Sequence, residues 1–263
     1  MIYNARMNET YTPGYCASAV TFMSGRSAKR QAHFILPRLK PGMRLLDIGC
    51  GPGTITVGLA AAVAPGPVIG IDMAESQLEL ARKNAAKNQI GNIRFQPASI
   101  YELPFGDGEF DVVFSHAVFE HLKEPVAALR EIHRVLAADG LVALRTPDWG
   151  GFLVHPLSPD IEAAMEHFQA IQMANGGNVL AGRRLKDWVL AAGFRAAQWS
   201  GSIDEDAYGV SEFLAGQLET HAAAGTFALD AETLTCFTTA LRQLANQPGA
   251  IFATSWGEII ATK

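Results

Sequence analysis

A glycine-rich turn directly after a short apolar stretch is the feature that most constrains what this chain can fold into. Residues 45–54 read LLDIGCGPGT, so Gly49, Gly51 and Gly53 alternate with other residues just beyond Asp47. A side chain at any of these glycines would hold a ligand away from the backbone, or would be strained where φ is positive. The helix expected to follow offers free N–H groups in its first turn. The pattern therefore predicts a strand, a ligand-binding turn and a helix.

Strands and helices alternate along the chain from this turn onwards. The stretches that are typical of strands are RLLDIGC, VIGID, NIRFQPAS, FDVVFSHA, GLVALRTP, FRAAQWSGSI and IFATSWGEIIATK. Most of them are separated by helical patterns, among them AESQLELARKNAAKNQ and PVAALREIHRVLA, the second of which is expected to end before Gly140. Upstream, Ser24 is predicted to cap a helix. Such alternation predicts an α/β fold whose parallel sheet is covered on both faces and binds ligands at the carboxyl ends of its strands.

The length of 263 residues suits one domain organised by such a sheet. We divide it into an N-terminal helical cover (1–40), a core (41–147), a lid and substrate region (148–225) and a last helix and strand (226–263). Residues 148–181 interrupt the alternation and are too long for a simple connection, so we expect them to fold over the site.

Two acidic residues narrow the class of ligand. A dinucleotide places its pyrophosphate on a G-x-G-x-x-G turn, whereas this chain has G-x-G-x-G, with Thr54 where the third glycine would stand. Asp47 lies two residues before the first glycine, where a carboxylate would repel a pyrophosphate but attract an ammonium or a sulfonium. Asp72 ends the next strand and suits the hydroxyl groups of a ribose, which both ligand classes contain. The spacing favours a nucleoside with a charged amino-acid tail.

Several longer stretches, in this order, resemble the class I S-adenosylmethionine-dependent methyltransferases of small molecules. The matching stretches are LLDIGCGPGT (45–54), VIGIDMAESQLELAR (68–82), QPASIYELPFGDGEFDVVFSHAVFEHL (96–122) and ALREIHRVLAADGLVAL (128–144). The stretch GGNVLAGRRLKDWVLAAGF (176–194) is similar to relatives of quinone-biosynthesis C-methyltransferases. The resemblance implies a Rossmann-like, doubly wound sheet, mostly parallel with an antiparallel final strand, with helices on both faces and a helical lid.

The resemblance also implies which residues bind S-adenosylmethionine. Asp47, Gly49 and Gly51 would surround its methionine portion, Asp72 would hold the ribose, Met73 and Ile100 would enclose the adenine, and Ser115 and His116 would flank the methionine tail. The predicted cofactor-binding set is completed by Cys50, Thr54, Gln77 and Ser99. Ser99 stands where such sequences usually have an Asp, so we expect weaker recognition of the adenine amine.

Methyl transfer from a sulfonium is an in-line displacement that depends mainly on alignment of the reactants, and a base is needed only if the nucleophile arrives protonated. His116 is the leading candidate for such a base, and packing in the cofactor pocket is its alternative role. Tyr15 is the residue that we expect to touch the cofactor carboxylate or the acceptor, within an aromatic cover. Glu120 lies four residues after His116, so on a helix the two would share a face and could form a pair of catalytic bases or part of a metal site, although two ligands are too few for a metal. His121 is a further candidate with a structural alternative. His155, His167, Arg183 and Arg184 are candidates for substrate contact, each with a structural alternative.

Net charge and cysteine spacing limit the classes of molecule that we expect the protein to bind. The net charge is −5, and the one basic stretch, from Arg26 to Arg44, is a solvated surface or a rim for an acidic substrate. We therefore expect a small-molecule acceptor, no nucleic acid and no metal, since three widely spaced cysteines offer no ligand pattern. The sequence shows neither a signal-peptide pattern nor a membrane-spanning run, which predicts a cytoplasmic protein, and monomer and dimer are both compatible with it. The alternatives are a cofactor-binding protein without methyl transfer and an NAD-dependent oxidoreductase.

Overall fold

The computed structural model describes residues 10–263, so the first nine residues of the predicted N-terminal cover lie outside the described part. The strands are β1 (Leu45–Ile48), β2 (Val68–Asp72), β3 (Ile93–Pro97), β4 (Phe110–His116), β5 (Leu136–Pro147), β6 (Leu153–His155), β7 (Arg195–Glu205) and β8 (Ile251–Thr262). The helices are α1 (Ala17–Ser24), α2 (Ala28–Gln31), α3 (Thr54–Val63), α4 (Glu75–Lys87), α5 (Pro125–Val135), α6 (Pro159–Ala174), α7 (Ala181–Ala191), α8 (Ala207–Ala223) and α9 (Ala231–Asn246). Short 3-10 helices span Leu36–Arg38, Phe119–His121 and Trp149–Gly151.

Within the described residues the strands form one mixed sheet in the order β3-β2-β1-β4-β5-β8. Strands β1 to β5 are parallel, and β8 is antiparallel to β5, β6 and β7. Ala253 of β8 pairs with Leu153 of β6 and with Glu205 of β7, so β6 and β7 lie on opposite sides of β8. The order reverses between β1 and β4, where such sheets open a crevice for ligands at the carboxyl ends of their strands. The predicted Rossmann-like sheet, mostly parallel with an antiparallel final strand, is confirmed.

Side chains on the two faces of the sheet contribute to separate apolar clusters, because successive strand residues point to opposite faces. Leu45 packs with Leu59 and Val63 of α3, whereas its neighbour Leu46 packs with Leu129 of α5 on the other face. These residues are fully buried. The alternation covers both faces of the core with helices, as the pattern predicts.

Two predicted helix boundaries differ from the structure. Ser24 is the last residue of α1, and Ser27 is the residue that precedes α2, so Ser24 caps no helix. The helix that begins at Pro125 ends at Val135, and Gly140 lies inside β5. Leu136 pairs with Phe110 in the sheet, and this long-range contact ends the helix earlier than its local pattern indicates.

The interruption between β5 and α7 is a structured part of the molecule. It contains β6, which pairs with β8, and α6, which packs with α8 and α9 around a third apolar cluster. Phe168 of α6, Leu214 of α8 and Leu241 of α9 are buried in this cluster, together with Phe252 of β8. The helices predicted as a lid are therefore anchored to the sheet through β8.

A buried guanidinium joins three strands below the ligand-binding edge. Arg145 of β5 is fully buried; its Nε lies 3.0 Å from Glu258 Oε1 on β8, and its Nη2 lies 2.9 Å from Asp204 Oδ2 on β7. Its planar group also stands 4.2 Å from the ring centroid of Trp256. A charge this far from water is tolerated only because it is paired and hydrogen-bonded.

Removing one partner of this buried pair should destabilise the fold strongly. We expect Glu258→Leu to lower the free energy of unfolding by about 3–5 kcal/mol, because Arg145 would lose its deepest carboxylate. The double variant Arg145→Met, Glu258→Leu should recover much of that loss. Denaturant unfolding measures both, with Glu75→Gln as the control, since its exposed pair with Arg82 should contribute less than about 1 kcal/mol. A Glu258→Leu effect as small as that of the control would contradict this account of the network.

Candidate functional site

A cavity of about 400 Å³ opens at the carboxyl ends of β1, β2 and β4. Its size is that of sites that bind small molecules and cofactors. It lies at the reversal of strand order, and its lining combines the glycine-rich turn with residues of the N-terminal segment and of α1. The predicted site residues that line it are Tyr15, Asp47, Gly49, Cys50, Gly51, Thr54, Asp72, Met73, Ser99, Ile100 and His116.

The three glycines of the turn have different roles, although all have positive φ. A Cβ at Gly49 would stand 2.3 Å from Val118 Cγ2, and one at Gly53 would stand 2.8 Å from Ala81 Cβ of α4. A Cβ at Gly51 would meet only Met23 Sδ, at 3.8 Å, and Gly51 lines the cavity. Gly49 and Gly53 therefore allow close packing, whereas Gly51 leaves open space where a ligand can approach the backbone.

Asp47 is a buried acid at the floor of the cavity. Its Oδ2 accepts a hydrogen bond of 2.7 Å from Thr56 Oγ1. Burial raises the pKa of Asp47 to about 7, the Thr56 hydrogen bond lowers it, and the nearby Asp72 raises it slightly further. A carboxyl group in this condition binds a cation well, because a positive charge would stabilise its ionised form.

Asp72 is held by the backbone at the edge of the same cavity. Its two oxygens accept hydrogen bonds from the N–H groups of Gly51, at 3.0 Å, and Ala74, at 2.9 Å. Burial is the main influence on its pKa and raises it, against these two backbone donors. Each carboxylate oxygen has a second lone pair, so the group can still accept from the hydroxyls of a ligand.

Beyond Asp72 the cavity is bordered by Met73, Ser99 and Ile100. Met73 is 56% exposed and Ile100 is buried, so an apolar ring between them would be covered on both faces. Ser99 Oγ accepts from the N–H of Tyr101 at 3.2 Å. The Ser99 hydroxyl offers a neutral acceptor at this position, where an aspartate would offer a charged one.

Two predicted cofactor-binding residues do not line the cavity. Ser115 is buried, and its Oγ donates to the carbonyl of Ile48 at 2.9 Å, so it ties β4 to β1. Its neighbour His116 points to the other side of the strand and reaches the cavity. Gln77 is buried in the first turn of α4, and no described residue bonds to its Oε1.

His116 has its ring fixed by Arg145. The guanidinium Nη1 lies 3.1 Å from His116 Nε2, and because arginine only donates, Nε2 accepts. Burial, Arg26 and Arg145 together hold the pKa of His116 well below its usual value, so the neutral ring carries its proton on Nδ1. No described residue bonds to Nδ1. This geometry gives His116 a free donor and no free lone pair, which does not favour the predicted role as a base.

Arg26 is a residue of the site that sequence reasoning did not single out. It is the one lysine or arginine among the described residues that line the cavity. Burial lowers its pKa, while Tyr11 and Glu120 raise it. Its guanidinium lies 5.3 Å from the ring centroid of Phe22. No described residue accepts a hydrogen bond from the guanidinium or forms an ion pair with it. The sequence signal was the basic stretch from Arg26 to Arg44, which does not tell its members apart.

A smaller second chamber adjoins the cavity, with which it shares Tyr11, Met23, Arg26, Ala117 and His121. Aromatic rings form most of its walls; they belong to Tyr11, Phe22, Trp149, Phe152, Phe168, Phe213 and Trp256. Helices α6 and α8 contribute to it, so the segments predicted as cover and lid meet at this chamber. Glu120 is the one acidic residue among the described residues that line it.

The remaining candidates divide between this chamber and the surface. Glu120 and His121 lie on a 3-10 helix rather than on the regular helix that would align Glu120 with His116. Outside both cavities, His155 is exposed on β6 and His167 packs against the ring of Phe227. Arg183 pairs with Asp148 at 2.6 Å, and Arg184 lies 3.5 Å from Asp187. Among residues 10–263, no three His, Cys, Asp or Glu side chains gather in a way that would hold a metal ion.

A search for membrane-spanning helices within the described residues gave none with sufficient length and apolar character.

Comparisons with known proteins identify the family. The sequence profile described as Methyltransferase domain matches residues 39–204, more than half of the chain. An uncharacterized methyltransferase of Schizosaccharomyces pombe is 36% identical over 65% of this chain and 63% of its own length. The demethylmenaquinone methyltransferase of Lactococcus lactis is 34% identical over 56% of each chain. The chain thus spans less than two thirds of the length of these two relatives.

A solved structure extends the similarity to the fold. The phosphoethanolamine N-methyltransferase 2 of Haemonchus contortus, in complex with phosphomonomethylethanolamine and S-adenosylhomocysteine, has a TM-score of 0.56. The alignment covers 89% of this chain and 52% of the Haemonchus chain at 20% identity. Together with the profile match over the glycine-rich turn and both acids, these similarities show that the chain belongs to the methyltransferase domain family.

Proposed function

We propose that the protein transfers a methyl group from S-adenosylmethionine to a small-molecule acceptor. The observation that carries the proposal is the arrangement of charge around one cavity, with buried acids Asp47 and Asp72 on one side and Arg26 on the other. A ligand that contains a sulfonium, an ammonium, a carboxylate and a ribose has a partner for each charged or polar group here. The family match and the S-adenosylhomocysteine bound to the structural neighbour support the same cofactor.

The lining residues suggest how the cofactor would be held. Asp47 would attract the ammonium and the sulfonium, Asp72 would accept from the ribose hydroxyls, and Arg26 would pair with the carboxylate. Met73 and Ile100 would cover the adenine, with Ser99 as a weak acceptor for its amine. Tyr15, which is 42% exposed at the rim and 5.4 Å from the ring of Tyr11, would help to cover the methionine end.

The cofactor, once bound, supplies an activated methyl group, and the chain supplies position. Holding two reactants in line is worth about 7–11 kcal/mol in favourable cases. The aromatic walls of the chamber would exclude water from an acceptor bound beside the cavity. We propose that the four regions of the chain form one catalytic domain in this way, with the acceptor region between the N-terminal cover and residues 148–225.

Calorimetric titration tests the proposal directly. We expect S-adenosylmethionine and S-adenosylhomocysteine to bind with micromolar affinity and NAD not to bind. Binding of NAD alone would show that Asp47 has been misassigned and would favour the oxidoreductase alternative. Binding of the first two ligands, without methyl transfer to any acceptor in a broad panel, would favour a cofactor-binding protein.

Substitutions at two positions should separate ligand contact from packing. We expect Asp72→Ala to weaken S-adenosylhomocysteine binding by about 1.5–3 kcal/mol, because a charged hydrogen-bond acceptor is lost. Gly51→Val should abolish binding while the protein stays folded, because its side chain would extend into the cavity. Gly53→Val is the matched control and should unfold the protein, because its side chain would collide with Ala81. Unchanged affinity in either of the first two variants would remove that residue from the cofactor site.

Cofactor affinity should depend on pH through Asp47. The pKa of Asp47 in the free protein is about 7, and a bound cation would lower it, so binding below this value must release a proton. The affinity should therefore increase about fivefold from about pH 6 to about pH 7, as expected for one linked proton. Calorimetry in two buffers of different ionisation enthalpy counts that proton. Asp47→Asn should bind more weakly and lose this dependence; a variant that keeps it would place the linked proton elsewhere.

A further inference from the structure

The second chamber has the shape and polarity of a site for a compact ring. Its volume is about 60 Å³, which at about 10–15 Å³ for one water-sized group admits a single small ring. Trp149 and Phe152 are stacked with their centroids 4.4 Å apart, and Trp149 lies 5.1 Å from Phe168. Trp256 closes the side next to His116, at 4.9 Å between centroids. Flat apolar walls of this kind favour planar ligands, because rings pack face to face or edge to face.

The carboxyl group of Glu120 is held in place within this chamber. Its backbone carbonyl accepts from Gln172 Nε2, at 3.1 Å, and from the N–H of Asn178, at 2.8 Å. Its side-chain Oε2 accepts a hydrogen bond from Thr146 Oγ1. Within residues 10–263, the polar atom found near the other oxygen, Oε1, is His121 Nε2, at 3.5 Å. One carboxylate oxygen is thus fixed by the protein, and the other has capacity for a further hydrogen bond.

Of the titratable groups described in the chamber, Glu120 is the one suited to accept a proton near neutral pH. Burial raises its pKa to about 7, against the hydrogen bond from Thr146 and the charge of Arg26. Burial and Arg26 lower the pKa of His121 to about 3, and burial raises that of Tyr11 above its usual value. At neutral pH His121 and Tyr11 are therefore uncharged, and Arg26 is the one cation that lines the chamber among the described residues. A cationic amine would be repelled by Arg26, whereas a neutral hydroxyl would not.

We propose that the second chamber is the acceptor site, that it takes a compact planar molecule bearing a hydroxyl group, and that Glu120 Oε1 accepts the proton of that hydroxyl. The inference rests on the proposed function and adds the acceptor class and a catalytic residue to it. In the reaction the acceptor O–H bond breaks and its proton goes to Glu120, while an O–C bond forms to the methyl carbon. The C–S bond breaks, and its electron pair stays on sulfur, which becomes a neutral thioether. The negative charge of the carboxylate and the positive charge of the sulfonium are both cancelled.

The first test measures binding without turnover. Because Trp149 and Trp256 line the chamber, phenol added to the S-adenosylhomocysteine complex should quench tryptophan fluorescence saturably. Cyclohexanol, which is not planar, and N-methylpyridinium, which is planar but carries a permanent positive charge, should bind at least about tenfold more weakly. Val210→Phe should remove phenol binding by filling the chamber while S-adenosylhomocysteine still binds, since Val210 does not line the larger cavity. Saturable phenol binding that survives in Val210→Phe would overturn the location of the site.

The second test concerns Glu120 itself. Phenol affinity of the wild-type complex should increase severalfold from about pH 6 to about pH 8, because a carboxylate accepts a stronger hydrogen bond than its protonated form. Glu120→Gln should keep S-adenosylhomocysteine affinity within about threefold, lose this pH dependence, and methylate phenols about 10²–10⁴-fold more slowly, as expected for loss of a base. Glu166→Gln, which removes an exposed acid of α6 outside both cavities, is the matched control. A Glu120→Gln protein with the wild-type pH dependence would overturn the assignment of Glu120.

The outcomes also separate this inference from the function on which it rests. If S-adenosylhomocysteine does not bind the wild-type protein, the proposed function fails. If it binds, but phenol either does not quench the fluorescence or still quenches it in Val210→Phe, only the acceptor assignment fails.

Discussion

The turn between β1 and α3 leaves no room for a side chain at Gly49 or at Gly53, and the site depends on this close packing. Gly49 lies against Val118 and Gly53 lies against Ala81, so β1, α4 and the segment after β4 meet around one stretch of backbone. The close approach brings the N–H of Gly51 within 3.0 Å of Asp72, which fixes that carboxylate at the edge of the cavity. One packing constraint thus sets the distance between the two acids that would bind a cofactor.

Around the cavities the protein buries several ionisable groups, and burial disfavours the charged forms of most of them. Burial moves Asp47 and Glu120 to pKa values near 7 and moves His116 and His121 well below theirs. Each such shift opposes the charged form in the folded protein, so it is a cost to stability rather than a contribution. Arg145 is the opposite case, since Glu258 and Asp204 pair with it and it in turn fixes the ring of His116. The paired charge supports the structure, and the unpaired groups face the cavities.

The core of the fold, and the cavity residues at the glycine-rich turn and the end of β2, could be predicted from sequence because their signals are local. Asp47, Gly51 and Asp72 each stand at a strand end or a turn that a short pattern marks. Ser115 does not line the cavity, because it adjoins His116 on a strand and successive strand residues face opposite sides of the sheet. Gln77 does not line the cavity either, because the direction of its side chain depends on how α4 packs. Arg26 and Glu120 acquire their roles only from residues far away in the sequence, which no local pattern contains.

The antiparallel strand β8 carries part of the chamber wall, and this has a consequence for how a preference for one acceptor could change. The cofactor cavity draws most of its lining from residues 47–122, whereas the walls of the chamber include Trp149, Phe168, Val210, Thr254 and Trp256. Those walls are carried on β8 and on helices that have an apolar cluster of their own. A substitution of Phe168 or Val210 would reshape the proposed acceptor chamber without touching the turn or the two acids. Variation in the two parts can therefore proceed independently, and one cofactor site can serve a succession of different acceptors.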